Sequence, residues 1–314
     1  MKILIPDTVA VDPAELQDGL DLDVVVYPVA EPIPEEHTDA EALVIWGNPP
    51  DQLADAARRL TRLRWIQDLA AGPGGVLKAG FAEQVVITNG RGLHDATVSE
   101  HALALTLAAA RHLHRTVRAQ IGHRWAGELG GLQPLDNAQG FSTLRDATVV
   151  IWGFGGIGRT LAPLLSALGA HVVGVARSAR SEDGVEVVDD VDAVLPTADV
   201  LVMILPSAPS TDRALDARRL AMLPPHAWLV NVGRGSTVDE DALVEAVRAG
   251  GIAGAALDVT QTEPLPVDSS LWDLPDVIIT PHAAGGRPLG AADLIRKNVR
   301  ALQAGEPLTN EFGR

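Results

Sequence analysis

The chain has 314 residues, 46% of them hydrophobic and none of them cysteine, with a formal net charge of −16 at pH 7. The length supports two domains with cores of their own, and the missing cysteines exclude a disulfide framework, a thiolate zinc site and a thiol nucleophile. The acidity opposes a general affinity for nucleic-acid phosphates, and the longest apolar run, 102–110, is far short of the roughly twenty residues that cross a bilayer. With no leader before the first strand-like run, the expectation is a cytoplasmic protein with no nucleic-acid or membrane partner and no metal.

Strand-like runs at 2–5, 23–27, 42–46, 64–67 and 85–88 alternate with polar or helix-forming stretches, the pattern of a parallel α/β sheet. Residues 97–113 read as one long helix, a natural bridge between domains, and a less regular stretch covers 122–146. The apolar run 148–151 then reads as a buried strand that breaks into glycines and resumes as a helix over 157–168, stopped by Gly169. Further strand-like runs at 171–176, 200–205, 228–232, 253–258 and 277–280 leave room for crossover helices, and an amphipathic helix over 289–304 ends at Gly305-Glu306-Pro307. The predicted fold class is α/β: two Rossmann-like doubly wound parallel-sheet domains with a cleft between them for a small ligand. Residues 1–97 and 287–314 form the expected substrate domain, and 98–286 the dinucleotide-binding domain.

The break after the strand reads Gly153-Phe154-Gly155-Gly156-Ile157-Gly158. In a GxGxxG turn the first glycine permits the tight turn, the second lets backbone approach a pyrophosphate, and the third lets helix pack close to strand. N–H groups at the helix start face the anion. Beyond the next strand the chain has Arg177-Ser178-Ala179-Arg180, where an NAD site would carry a carboxylate for the ribose 2′-hydroxyl. Arg177, Ser178 and Arg180 suit a 2′-phosphate, because arginine's fork matches its oxygens. NADP(H) is therefore the preferred cofactor and NAD(H) the alternative.

Three polar residues follow later strands, at the sheet edge where ligands bind. Arg234, between Gly233 and Gly235, can present its guanidinium to a carboxylate. Glu263 and His282 offer a carboxylate and an imidazole; were they to touch, the carboxylate would favour the protonated ring that a general acid needs. The other eight histidines, including His94, His101, His112 and His114, read as partners of backbone groups or interface residues.

Taken together, the glycine turn, Asn231-Val232-Gly233-Arg234-Gly235, Ala256-Leu257-Asp258-Val259 with Glu263-Pro264, and Thr280-Pro281-His282-Ala283-Ala284-Gly285 resemble the D-isomer-specific 2-hydroxyacid dehydrogenases. The likeness extends through Leu69-Ala70-Ala71-Gly72, Thr88-Asn89, Glu100-His101-Ala102-Leu103 and Trp125, nearly the whole chain. It implies that Arg234 holds the substrate carboxylate and carbonyl oxygen, His282 is the acid/base, and Glu263 orients His282. Asp258 would contact the nicotinamide side of the cofactor, Ala71 and Gly72 the substrate carboxylate, and Leu205, Pro206, Thr211, Val232 and Gly233 the nucleotide pocket. The substrate would be a small 2-oxo or 2-hydroxy carboxylate, and the assembly a homodimer formed through 97–113 and 122–135. The compact length and NADP preference match the glyoxylate and hydroxypyruvate reductase branch. A phosphoglycerate dehydrogenase-like enzyme and a cofactor-sensing, non-catalytic regulator are the alternatives. The chain departs from common family patterns at Pro73-Gly74-Gly75.

Overall fold

A computed structural model describes residues 1–17, 19–72, 74–137 and 140–313, so Pro73 lies outside the described residues. The chain divides into two compact units, Met1–His94 with Arg287–Arg314, and Asp95–Gly286.

The first unit runs β1 (Lys2–Pro6), α1 (Pro13–Gln17), β2 (Asp23–Tyr27), β3 (Ala42–Ile45), α2 (Pro50–Arg59), β4 (Trp65–Asp68), α3 (Gly74–Lys78) and β5 (Val86–Thr88). Its five strands pair in parallel in the order β2-β1-β3-β4-β5. Parallel sheets are covered on both faces, so their central strands need apolar residues at consecutive positions. β1 supplies them: Leu4 packs with Leu43, Leu53 and Ile66 on one face, while Ile3 and Ile5 pack with Val44, Trp65, Ile295 and Val299 on the other.

The second unit opens with α4 (Asp95–Ala110) and α5 (Leu113–Ile121) and continues through β6 (Thr148–Trp152), α6 (Gly156–Ala167), β7 (His171–Val175), β8 (Arg180–Glu182), β9 (Val185–Val188) and β10 (Val200–Met203). It closes with α7 (Ala217–Leu220), β11 (Trp228–Asn231), α8 (Glu240–Arg248), β12 (Gly254–Leu257) and β13 (Val277–Ile279). The sheet order is β13-β12-β11-β10-β6-β7-β9-β8, parallel throughout except between β8 and β9. Strand order therefore reverses between β6 and β10, the switch point at which doubly wound sheets bind nucleotides beyond their carboxyl ends.

Two expectations need correction. The single helix over 97–113 is two helices, because His112 adopts a left-handed backbone (φ 50°) that a right-handed helix cannot continue. Long-range contacts of the adjoining His114, which tilts against the Trp228 ring at 5.2 Å and bonds Asp276 at 3.3 Å, fix the start of α5. The second is that no strand was expected between 176 and 200; β8 and β9 pair there antiparallel, and Arg180 opens β8. Its short polar sequence, Arg180-Ser181-Glu182, carries no apolar run by which to recognise a strand.

The last helix, α9 (Ala291–Ala304), belongs to the first unit and is tied to it by a buried amide network. Asn298 Nδ2 donates to Gln67 Oε1 (2.9 Å) and to the Thr309 carbonyl (3.1 Å), and its Oδ1 accepts from the Thr309 N–H (2.7 Å). Thr88 in turn donates to Gln67 Oε1 (2.9 Å) and accepts from the Trp65 indole (2.9 Å). Removing one member leaves buried partners unmade, which costs about 1–3 kcal/mol. Asn298→Ala should lower stability by that amount in urea unfolding, and a loss below about 0.5 kcal/mol would contradict this account.

Candidate active site

β6 delivers the chain to the glycine turn. Gly153 has φ 105°, and a Cβ there would lie 2.7 Å from the Ile204 carbonyl oxygen, so the turn is open only to glycine. Gly155 caps α6 without a side-chain bond, and nothing approaches its missing Cβ closer than 4.0 Å. Gly156, Ile157 and Gly158 form the first helical turn, where N–H groups have no intrahelical acceptor. A Cβ at Gly156 would overlap the Asp95 carboxylate, so a side chain there would have to displace it, and backbone N–H groups at a helix start of this kind suit a dinucleotide pyrophosphate. Phe154 contributes differently from the glycines, since its side chain is buried in the core of this unit.

At the ribose end, Arg180 is already engaged. Its Nε donates to Glu182 (2.8 Å), while the two terminal nitrogens donate to the carbonyls of Phe154 (3.1 Å) and Ser178 (3.2 Å). Arg159 also donates to Glu182 (2.7 Å). The hydrogen bonds from Arg159 and Arg180 hold the Glu182 carboxyl below the usual carboxylate range. Arg177 and Ser178 are exposed, and among the described residues no side-chain partner holds the Arg177 guanidinium. Thr211 uses its hydroxyl inside its own loop, donating to the Pro206 carbonyl (2.6 Å), just beyond Leu205.

Arg234, Glu263 and His282 follow three adjacent strands, β11, β12 and β13. Asn231 shapes the first loop: its Oδ1 accepts from the Gly233 N–H (3.1 Å) and its Nδ2 donates to the Arg234 carbonyl (3.2 Å). A Cβ at Gly233 would lie 2.7 Å from the Leu205 carbonyl oxygen, and one at Gly235 would overlap the Thr260 carbonyl. The two glycines thus bring the ends of β10, β11 and β12 together, with Val232 packed into the core and Arg234 half-buried between them. Arg234 donates one terminal N–H to the Gly233 carbonyl (2.7 Å).

Thr260 carries the arrangement onward, because its N–H donates to Glu263 Oε1 (3.1 Å). The other oxygen, Glu263 Oε2, meets His282 Nδ1 at 2.8 Å, and both side chains are exposed. A carboxylate at that distance fixes the ring's orientation and favours a proton on Nδ1, leaving Nε2 for other chemistry.

Asp258 is buried and fully engaged. Its Oδ1 accepts from the Thr280 hydroxyl (2.6 Å) and the Ala283 N–H (2.8 Å), and its Oδ2 from the Ala284 N–H (3.1 Å). His101 completes the set, with Nε2 at 3.2 Å from Asp258 Oδ1 and 3.0 Å from Thr280 Oγ1. Of the two readings of His101, backbone partner or interface residue, the first is corrected: α4 carries it to two side chains far away in sequence, a contact without a sequence signature. His94 does bond a backbone group, the Leu69 carbonyl (2.8 Å).

In the first unit, Ala71 and Gly72 are exposed just beyond β4. Their loop is anchored by Gly90 N–H donating to the Ala70 carbonyl (2.7 Å) and Ala70 N–H donating to Asp68 Oδ1 (2.8 Å). Gly74 and Gly75 open α3, next to the undescribed Pro73.

Residues 103–284 match the family described as D-isomer specific 2-hydroxyacid dehydrogenase, NAD binding domain. The chain belongs to this family of oxidoreductases. It is 32% identical to glyoxylate/hydroxypyruvate reductase A of Serratia proteamaculans, over 87% of this chain and 86% of that one. It is 34% identical to D-3-phosphoglycerate dehydrogenase of Mycobacterium leprae over 73% of this chain but only 42% of that longer one. Among solved structures, a D-isomer specific 2-hydroxyacid dehydrogenase from Xanthobacter autotrophicus in complex with NADPH and MES superposes with a TM-score of 0.78 at 30% identity, covering 99% of this chain and 97% of that one. The family acts on small hydroxy and oxo acids. Among the described residues no helix is long and apolar enough to cross a membrane, and no group of His, Asp and Glu could hold a metal ion.

Asp68 gives the loop before Ala71 a pH dependence. Burial pushes its carboxyl up to about 7, against the opposing pull of the Ala70 N–H. The folded state then holds a proton that the unfolded chain has released, so this stabilisation is complete below about pH 4 and is lost as pH rises through 7. Asp68→Asn should flatten that slope, unfolding at higher urea than the parent at pH 8 and showing less advantage at pH 5. About 4 kcal/mol is the ceiling for the gain. An unaltered pH dependence of the urea midpoint would count against it.

Proposed function

We propose that the protein is an NADP(H)-preferring reductase of small 2-oxo acids, of the glyoxylate and hydroxypyruvate type. The observation that carries this reading is the 2.8 Å contact between His282 and Glu263, on strand ends adjacent to that of Arg234. A bound reduced nicotinamide would supply the hydride. His282, protonated and steadied through Nδ1 by Glu263, gives a proton from Nε2 to the oxygen of the substrate carbonyl as it becomes an alkoxide. Arg234 keeps donors beyond the one spent on Gly233, and these bind the carboxylate and the developing oxyanion. In the reverse direction, neutral His282 accepts the alcohol proton.

The cofactor preference is supported by the exposed Arg177 and Ser178, by the absence of an acidic residue among 177–180, and by the NADPH bound to the Xanthobacter relative. Asp258, with both oxygens engaged, serves the nicotinamide end mainly by shaping the loop after β13. A phosphoglycerate dehydrogenase-like enzyme is the second reading, favoured by the 34% identity to the mycobacterial relative. We also assign the functional unit as a homodimer. Leu113, Val117 and Ile121 recur every fourth residue along α5, and with Trp125 they expose an apolar face that a second copy would cover.

A panel of glyoxylate, hydroxypyruvate and longer 2-oxo acids with NADPH and NADH tests the activity; tight NADPH binding without turnover on any of them would favour the non-catalytic regulator. His282→Ala should lower kcat by about 10²–10⁴. Arg234→Ala should reduce kcat/KM heavily, and near-normal turnover by either variant refutes its role. Arg177→Asp should shift preference from NADPH toward NADH, whereas an unchanged ratio removes the NADP assignment. Light scattering should give twice the 33.0 kDa chain mass, and Ile121→Asp should lower it toward that of one chain.

A further inference from the structure

His282 occupies a left-handed backbone conformation, φ 52°, that non-glycine residues adopt uncommonly, and a set of hydrogen bonds holds it there. The holding contacts converge on Asp258. The His282 N–H donates to the carbonyls of Asp258 (2.8 Å) and Thr280 (3.0 Å), while the next two N–H groups, of Ala283 and Ala284, donate to the two Asp258 carboxylate oxygens. Three consecutive amides beyond β13 are thus tied to one buried residue of β12's carboxyl end. A carboxylate with no exposed surface needs several donors to offset its desolvation. Thr280 and His101 supply the remaining two, and His101 comes from α4, an element outside the loop.

We propose that His101 is a positioning residue for the reaction: by donating Nε2–H to Asp258 and Thr280, it fixes the carboxylate that holds the 282–284 turn and so aims His282. The inference rests on the acid/base reading of His282. His101 need touch neither substrate nor cofactor, because its effect passes through the Asp258 carboxylate and the two amides bound to it. Removing the donor leaves Asp258 under-solvated and its hold on Ala283 and Ala284 looser. A displacement of the acid/base group by about 1 Å costs up to about a hundredfold in rate.

The test uses the whole protein, comparing parent, His101→Leu, His101→Gln and Thr280→Val. Steady-state 2-oxo acid reduction is measured together with hydrogen–deuterium exchange of the Ala283 and Ala284 amides. His101→Leu should lower kcat about tenfold to a hundredfold, leave KM for the oxo acid within about twofold, and speed amide exchange by roughly tenfold. His101→Gln, which restores an N–H donor at comparable reach, should recover most of both. Thr280→Val guards against a His101→Leu chain that fails to fold; it should show the same kcat-selective loss and faster exchange in milder form. Parental kcat and exchange in His101→Leu or Thr280→Val, or a defect that His101→Gln does not relieve, overturn the proposal. His282→Ala separates the two readings. If it retains turnover, the acid/base assignment fails, and exchange alone then decides whether His101 holds the turn.

Discussion

The close approach of backbone at Gly233 and Gly235 is the constraint from which the site is built. A side chain at the first would strike the Leu205 carbonyl, and one at the second the Thr260 carbonyl. With neither present, the ends of β10, β11 and β12 lie against one another, and each contact sets up the next. Arg234 is held between the two glycines, and Thr260 is left with its N–H directed to Glu263. Glu263 then meets His282, so one packing condition governs guanidinium, carboxylate and imidazole together.

A second set of contacts governs the turn rather than the ring. Glu263 orients the imidazole through Nδ1, whereas Asp258 fixes the peptide groups on either side of it. The two carboxylates are close in sequence but differ in environment. Glu263 is exposed, where its charge is well solvated and available to steady a protonated ring. Asp258 is buried, where a charge persists only if donors surround it, and that requirement enlists Thr280 and His101. The same burial acts without such compensation at Asp68, which has a single backbone donor and a raised pKa as the result.

Most of the strand ladder was legible in the sequence, because strands covered on both faces must be apolar at consecutive positions. The runs around Leu4, Val44, Val150, Leu201 and Val230 could not be much else. β8 was not legible, since Arg180-Ser181-Glu182 is held by edge pairing with β9 and by ion pairs rather than by burial. Nor was the break at His112, where the contacts of the adjoining His114 with Trp228 and Asp276 outweigh the local preference to continue a helix. The two arginines of 177–180 looked equivalent in sequence; folding returns Arg180 to Glu182 and the Phe154 carbonyl and leaves Arg177 exposed.

The sequence by itself determined the α/β class, the glycine turn and the residue types at the strand ends. These rest on local requirements, namely a positive φ, a missing Cβ or an uninterrupted apolar run, which spacing along the chain can express. Only the tertiary structure decided which groups meet. It joined Glu263 to His282, gave Asp258 to His101 and the 283–284 amides, and took Arg180 out of solvent pairing. Those pairings depend on hydrogen-bond distances between elements as far apart as α4 and β13, and on the need of each buried charge for donors wherever the fold supplies them.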